Sequence, residues 1–351
     1  MDKVRIGFVG VGQMGQMAHL RNYVQIDDCD VVAIAEPRTA MAKLVAERYG
    51  VAKVYRDHRE MLEAETLDGV IASQPFDRHA VLLPDIYERV KHVFTEKPLA
   101  VMPETGAALA TAAAAADCTH MLGYHKRSDP ATIAAKETVE RWRTNGHVGR
   151  LRYVRITMPP GDWVAGGCAG LLNAGDEPPG DLPREPKPAD MDEEVHRLHV
   201  EFVNVYIHQV NLLRHLLGED YEVRHADRSG VLLVAESVSG ITCAIEMAPY
   251  HTTITWEETA LVGFERGYVQ LALPAPLATN RAGHLETYED PGEDQTPRRV
   301  QPEMPWVHAM RQQAINFIRV CRGEMDPPCN AAEAVKDLQT ARDYIRLRCG
   351  A

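Results

Sequence analysis

The chain has no run of basic residues. Its 38 Lys and Arg stand against 50 Asp and Glu, a formal charge of −12. The pairs Lys126-Arg127 and Arg298-Arg299 are too short to form the positive stripe with which proteins hold nucleic acid. No apolar stretch reaches the ~20 residues that span a bilayer, so no membrane partner is expected. The opening Met1-Asp2-Lys3-Val4-Arg5 puts charges where a secretion signal needs its apolar core. The seven cysteines (Cys29, Cys118, Cys168, Cys243, Cys321, Cys329 and Cys349) are odd in number, dispersed and without a Cys-x-x-Cys pair. That argues against a disulfide frame or zinc knuckle and for reduced thiols in a cytoplasmic setting. Internal repeats are also lacking. With 351 residues, 45% hydrophobic and 25% charged, the composition is that of a globular protein large enough for two domains.

The most informative stretch lies between residues 4 and 36. A short apolar strand, Val4–Val9, runs into Gly10-Val11-Gly12-Gln13-Met14-Gly15, the G-x-G-x-x-G pattern. A helix and a second strand, Val31–Ala35, follow, and Glu36 closes them. In this pattern Gly10 permits the tight turn, Gly12 lets backbone approach a pyrophosphate, and Gly15 lets the helix pack on the strand. The helix start supplies free N–H groups and a dipole for the phosphates. Glu36, about 20 residues further on, can accept from both ribose hydroxyls of an adenine nucleotide. Its carboxylate repels an added 2′-phosphate, which favours NAD over NADP. Arg38 is placed to stack on adenine.

The alternation of strand and helix continues to about residue 125, which predicts a parallel, doubly wound sheet. Helices are expected at about 39–49, 58–64, 78–90 and 103–116, with strands at 69–73, 92–95 and 120–124. From 126 to 351 the pattern changes to a second α/β domain. A helix at 130–145 leads to the strand Leu151–Met158, and then to 159–192, a long loop with seven prolines and no periodicity. A single helix is expected over 193–217. Strands with period-two alternation follow at 221–227, 230–238, 240–248, 253–262 and 266–273, which predicts an open, largely antiparallel sheet. Residues 275–305 read as loop, and helices at 306–322 and 331–347 complete the pattern, these last helices being able to pack back on the first domain.

Two constellations carry chemistry. Along 193–217 a polar seam of Glu201, Asn204, His208, Asn211 and His215 follows the 3-4-3-4 spacing of one helix face. Such groups must meet water, one another or a ligand, since an unmet buried polar group costs ~1–3 kcal/mol. A metal at His196, His199 and His208 is disfavoured, because His199 and His208 lie about 180° apart around the helix. The second constellation, Thr95-Glu96-Lys97-Pro98, ends a parallel strand, where open α/β sheets bind ligands. Trp163, in the long loop, offers an indole face on which a sugar can stack.

These motifs, with Ser73-Gln74-Pro75 and His79, Lys91–Ala100, Gly123-Tyr124-His125-Lys126-Arg127, His208–Arg214 and Pro327-Pro328, make the chain resemble the glucose–fructose oxidoreductase / inositol dehydrogenase (Gfo/Idh/MocA) family. The resemblance covers nearly the whole chain. It implies a Rossmann domain followed by an α/β domain whose open sheet makes homodimers or homotetramers. It implies a nicotinamide cofactor held by Gly10, Gly12, Gln13, Met14, Gly15, Glu36, Arg38, Ser73, Gln74, Pro75, His79, Glu96 and Lys97. It implies, too, an NAD-dependent dehydrogenase or reductase interconverting a secondary alcohol and a ketone on a sugar, cyclitol or nucleotide-linked sugar held by Lys97, Tyr124, His125, Arg127, Trp163, Asn204, His208 and Asn211. Lys97, His208 and Asn204 are the implied catalytic set, with His208 as acid/base. Two departures stand out: Asn204 lies where many relatives have Asp, and segment 159–192 replaces a glycine-rich lead into the helix. Other functions open to such a chain are a lyase or glycosidase that uses bound NAD transiently, and a silent NAD-binding regulator.

Overall fold

The computed structural model describes residues 2–292 and 295–350. The chain forms two compact units. The first comprises Met1–Tyr124, Gly167–Asp192 and Met310–Gln339, and the second His125–Gly166, Glu193–Ala309 and Thr340–Ala351. The first change of unit follows Tyr124, and the chain returns to the first unit at Gly167–Asp192 and at Met310–Gln339. The long loop 159–192 is divided between the units at Gly166.

In the first unit, β1 (Val4–Val9), β2 (Cys29–Ala35), β3 (Lys53–Tyr55), β4 (Gly69–Ala72), β5 (His92–Thr95) and β6 (Thr119–Leu122) form one sheet in the order β3-β2-β1-β4-β5-β6. All its pairings are parallel. That order reverses beside β1, which places the switch point of a doubly wound sheet at the glycine turn. The three-residue strand β3 was not expected: Lys53 and Val54 are exposed, so it carries no apolar signature. The core packs Ile6, Phe8, Tyr23, Ile34, Val45, Phe94 and Phe317, all buried, with Phe94 and Phe317 edge to face at 5.8 Å. The alanine-rich helix Pro103–Ala115 turns Gly106 towards Leu338, where an added Cβ meets the leucine at 2.8 Å.

The second unit contains an eight-stranded sheet ordered β14-β13-β12-β11-β7-β10-β9-β8. Its strands are β7 (Leu151–Met158), β8 (Tyr221–Ala226), β9 (Leu232–Ser237), β10 (Thr242–Met247), β11 (Glu258–Phe264), β12 (Gly267–Leu273), β13 (His284–Glu289) and β14 (Arg298–Val300). Only β7 and β10 pair in parallel; the other named pairings are antiparallel. β13 and β14 correct the reading of 275–305 as loop. They lie at the sheet edge and are mostly half-exposed, so their alternation is faint. The helix expected over 193–217 is divided into Glu193–Val205 and Ile207–Leu217, parted at Tyr206. On one face of the sheet Val154, Ile156, Ile245, Ala260 and Val262 are buried.

A charged network inside the second unit fixes its local geometry. Glu258 opens β11 at an inward position of the alternation and is 1% exposed. Its carboxylate pairs with Lys126, accepts Gln209 Nε2 at 2.7 Å and accepts Trp256 Nε1 at 3.3 Å. The turn His125–Ser128 and the helix Ile207–Leu217 are thereby tied to the same strand end. Removing one member of such a pair strands a buried charge, at ~3–5 kcal/mol. Lys126→Met and Glu258→Gln should each lower the denaturant midpoint strongly. The double variant should be more stable than the sum of the two losses predicts, which a double-mutant cycle will measure.

His120 makes the first unit sensitive to acid. It is 3% exposed and lies between Tyr87 Oη at 2.8 Å and Thr95 Oγ1 at 2.9 Å. Burial, reinforced by the nearby His79, drops its imidazole to about 3. Above about 6.5 the ring is neutral both folded and unfolded, and its contribution is fully present. As pH falls from there towards 3 the unfolded chain takes up a proton that the folded chain refuses. Stability is then lost at about 1.4 kcal/mol per pH unit. Equilibrium unfolding between pH 7 and 4 should show this slope, and His120→Gln should flatten it.

Candidate active site

The first unit builds a nucleotide cradle from its backbone outward. Gly10 leaves β1 with φ +93°, a conformation that suits glycine. A Cβ on Gly15 meets the Gly10 carbonyl oxygen at 2.6 Å, so helix and turn pack without room for a side chain. At Gly12 the nearest heavy atom to an added Cβ is Arg38 Nη2 at 3.9 Å, leaving the turn open on its outer side. The chain then winds through a π-helical segment, Gly15–Leu20, into Arg21–Tyr23. Gln16, which opens it with Gly15, turns its amide back onto the Val11 carbonyl at 2.9 Å.

Glu36 sits at the end of β2, 4% exposed. It accepts the Val11 N–H at 3.0 Å and the Arg38 guanidinium twice, at 2.8 and 2.9 Å. Burial pushes its carboxyl up, but those donors more than reverse the effect and hold it below the usual range. The open glycine turn and this ionised acid fit a dinucleotide, with pyrophosphate at the turn and ribose at the acid. Arg38 is engaged with Glu36, and its guanidinium lies against that acid.

At the next strand end, Ser73 N–H donates to the Val9 carbonyl at 3.0 Å, and Gln74 accepts from Arg78 at 2.8 Å beside Gly10. Pro75 precedes a 3₁₀ turn, Phe76–Arg78, that leads into the helix His79–Tyr87. His79 is fully buried and its Nδ1 lies 2.9 Å from the Leu99 carbonyl. Burial keeps this ring neutral, against the opposing pull of that carbonyl. His79 therefore fixes the loop that follows Lys97 rather than offering a charge. Glu96 pairs with His19 at 2.7 Å, a buried partner that no motif or spacing singles out. Burial raises the Glu96 carboxyl, but His19 and Lys97 overcome this and leave it ionised. The Lys97–Pro98 bond is cis.

In the second unit His125 and His208 meet edge to face, with ring centroids 4.7 Å apart. Arg127 Nε donates to Asn211 Oδ1 at 2.6 Å, and both residues are buried. The polar seam is graded: Glu201 and Asn204 are exposed, His208 and His215 half-buried, and Asn211 buried. The seam therefore meets both water and a buried network. Trp163, 40% exposed, belongs to this unit, and its carbonyl accepts Leu277 N–H at 3.2 Å. Tyr124, 2% exposed, closes the first stretch of the first unit. Gln13 and Met14 stand on the glycine turn, where Gln13 Nε2 reaches Cys168 Sγ at 3.2 Å. Lys126 and Gln209 entered the sequence reading only as members of motifs, with no role of their own, and Glu258 was not singled out. The inward position of an acid in the alternating strand 258–264 was the available signal. Among the described residues no cluster of three or more His, Cys, Asp or Glu could hold a metal ion. No helix there is long and apolar enough to cross a membrane.

Residues 4–124 match the oxidoreductase family with an NAD-binding Rossmann fold, GFO_IDH_MocA. A myo-inositol 2-dehydrogenase of Thermotoga maritima is 28% identical over 238 residues, 67% of this chain and 60% of that relative. The chain thus spans less than two thirds of that relative's length. An α-N-acetylgalactosaminidase of Shewanella oneidensis is 33% identical over 113 residues, 30% of this chain and 24% of the relative. A solved structure described as a putative myo-inositol dehydrogenase from Sinorhizobium meliloti shares the fold. Its TM-score is 0.71 at 20% identity, covering 99% of this chain and 98% of that one. Residues 4–124 thus match the NAD-binding Rossmann segment of the GFO_IDH_MocA oxidoreductases, and these relatives support the resemblance to that family read from the sequence.

Proposed function

We propose that this protein is an NAD-dependent dehydrogenase or reductase that interconverts a secondary alcohol and a ketone on a sugar or cyclitol. The observation that carries the reading is Glu36: a buried, ionised carboxylate at the end of β2, beside an open glycine turn. Its charge favours an adenosine ribose with a free 2′-hydroxyl. The inositol dehydrogenase named above supports a polyol substrate, and the polar groups of half-buried His208 and of buried Asn211, His125 and Arg127 suit a polyhydroxylated ligand.

NAD, when bound, supplies the acceptor for the hydride. His208 takes the hydroxyl proton in oxidation and returns it in reduction, since an imidazole ordinarily titrates near neutrality. Lys97 donates a hydrogen bond to the reacting oxygen and stabilises the negative charge that develops there. Asn204, neutral where many relatives have Asp, binds a substrate hydroxyl or orients His208. Tyr124 and Trp163 complete the substrate set of this reading. Assembly through the sheet of the second unit belongs to it as well. The face opposite the buried residues presents Tyr153, Val234, Leu261, Tyr268 and Tyr288, all half-buried. A cytoplasmic location accords with seven free cysteines.

A second reading has an observation of its own. The segment matching the α-N-acetylgalactosaminidase makes a glycosidase or lyase using NAD transiently the main rival. The two differ in net NADH. A panel of sugars and cyclitols with NAD should give lasting absorbance at 340 nm for the dehydrogenase, whereas the rival releases product with none. Lack of turnover on every polyol, with cofactor bound, favours a regulator instead. With the active substrate, His208→Ala and Lys97→Ala should each lower turnover at least ~100-fold while NAD still binds. Rates like those of the unaltered protein would remove that residue from the mechanism.

A further inference from the structure

The proline-rich segment 167–185 is seated on the nucleotide cradle by a series of hydrogen bonds. Arg21 donates to the Gly167 carbonyl at 2.8 Å, and Gln13 to Cys168 Sγ at 3.2 Å. The Gln16 amide and the Leu172 backbone exchange two bonds, at 3.0 and 3.2 Å. Asp176 then places its carboxylate on the first N–H groups of the helix Thr39–Tyr49, at 2.8 Å from Ala40 N and 3.2 Å from Met41 N. That helix lacks a side-chain cap of its own, because the residue before it is Arg38. Further on, Arg184 pairs with Asp77 at 2.7 Å, and Glu185 accepts from Val101 and Met102 N–H at 3.0 and 3.2 Å. The segment is therefore anchored past the ends of β2, β4 and β5, with the glycine turn of β1 between the first two.

The place Asp176 occupies has a meaning for the cofactor. In a Rossmann site a 2′-phosphate is met just past the acid of the second strand, by a nearby Arg and the donors there. Here those donors are Arg38 and the N–H groups that start the next helix. Glu36 holds Arg38 twice over, Asp176 holds the helix start, and Glu177 adds to the negative field on the guanidinium. Resting on the cofactor reading above, we propose that Asp176 is a second specificity residue, a carboxylate filling from within the anion seat that NADP needs. Selection against NADP is then shared between a residue of the glycine fingerprint unit and one contributed from a segment 140 positions later in the chain.

The test is a titration of the full-length protein with NADH and NADPH, followed by nicotinamide fluorescence, which requires no substrate. The unaltered protein should bind NADH more tightly. Asp176→Asn keeps a good acceptor for the helix start but deletes the charge, and should narrow the NADH-to-NADPH affinity ratio by about tenfold. Asp176→Glu should retain the original ratio, and melting curves will establish that both variants fold. A ratio unchanged in a folded Asp176→Asn overturns the proposal while leaving the nucleotide site standing. Preference of the unaltered protein for NADPH overturns it as well. Binding of neither nucleotide overturns both this proposal and the cofactor reading.

Discussion

One carboxylate, kept ionised in a nearly dry place, organises the nucleotide half of this molecule. Glu36 gives up water for a backbone N–H of the glycine turn and for the two-pronged guanidinium of Arg38. Burial alone would neutralise it, and these donors prevent that. The exchange links three local features. Val11 must turn its N–H towards the end of β2, which Gly10 permits through its positive φ. Gly15 must lie against the Gly10 carbonyl for the helix to start where it does. Arg38 must fold back on Glu36 instead of extending into solvent, and so the helix Thr39–Tyr49 begins without a cap from its own neighbour. A loop from elsewhere in the sequence then meets that need.

The second unit uses charge differently. Lys126 and Glu258 are almost wholly buried, and such a pair is no certain gain in stability, because both ions lose their water. What it supplies is position. Lys126 follows His125 in one turn, and Gln209 follows His208 in a helix; both end on the same carboxylate. A shift of either element by one residue would leave a buried charge or amide unmet. The contact between the His125 and His208 rings at 4.7 Å is thus held in place through the chain neighbours of both residues.

Much of this was legible in the amino-acid sequence, and what escaped shares a cause. The alternation of apolar strand and helix to residue 125 gave the parallel sheet, because β1, β4 and β5 are buried on both faces and read as short apolar runs. Gly10, Gly15 and Glu36 could be assigned reasons because their roles depend on residues within one strand-turn-helix-strand unit. His19 could not, since its partner Glu96 is 77 residues away and a lone histidine on an apolar helix gives no sign of it. β3 and β14 are three-residue edge strands with mostly exposed side chains, and β13 beside β14 is mostly half-buried, so the alternation that reveals a strand is weak in them. The division at Tyr206 lies inside an otherwise helical pattern, with no Pro or Gly to announce it.

The segment 167–192 shows why absence of periodicity is a poor guide to order. A regular element satisfies its backbone internally, and its side chains therefore repeat; this segment satisfies part of its backbone on the side chains of Arg21 and Gln16, which imposes no repeat. Holding a residue in one conformation costs ~1–2 kcal/mol. Seven prolines within 159–192 reduce that cost by restricting the unfolded chain beforehand. The remainder is offset where Leu172 and Ala174 pack on the core of the first unit and where Asp176 and Glu185 accept backbone N–H groups. Residues 177–181, between those anchors, stay exposed. A composition that reads as loop can thus be fastened at defined points, and those points coincide with the edges of the nucleotide cradle.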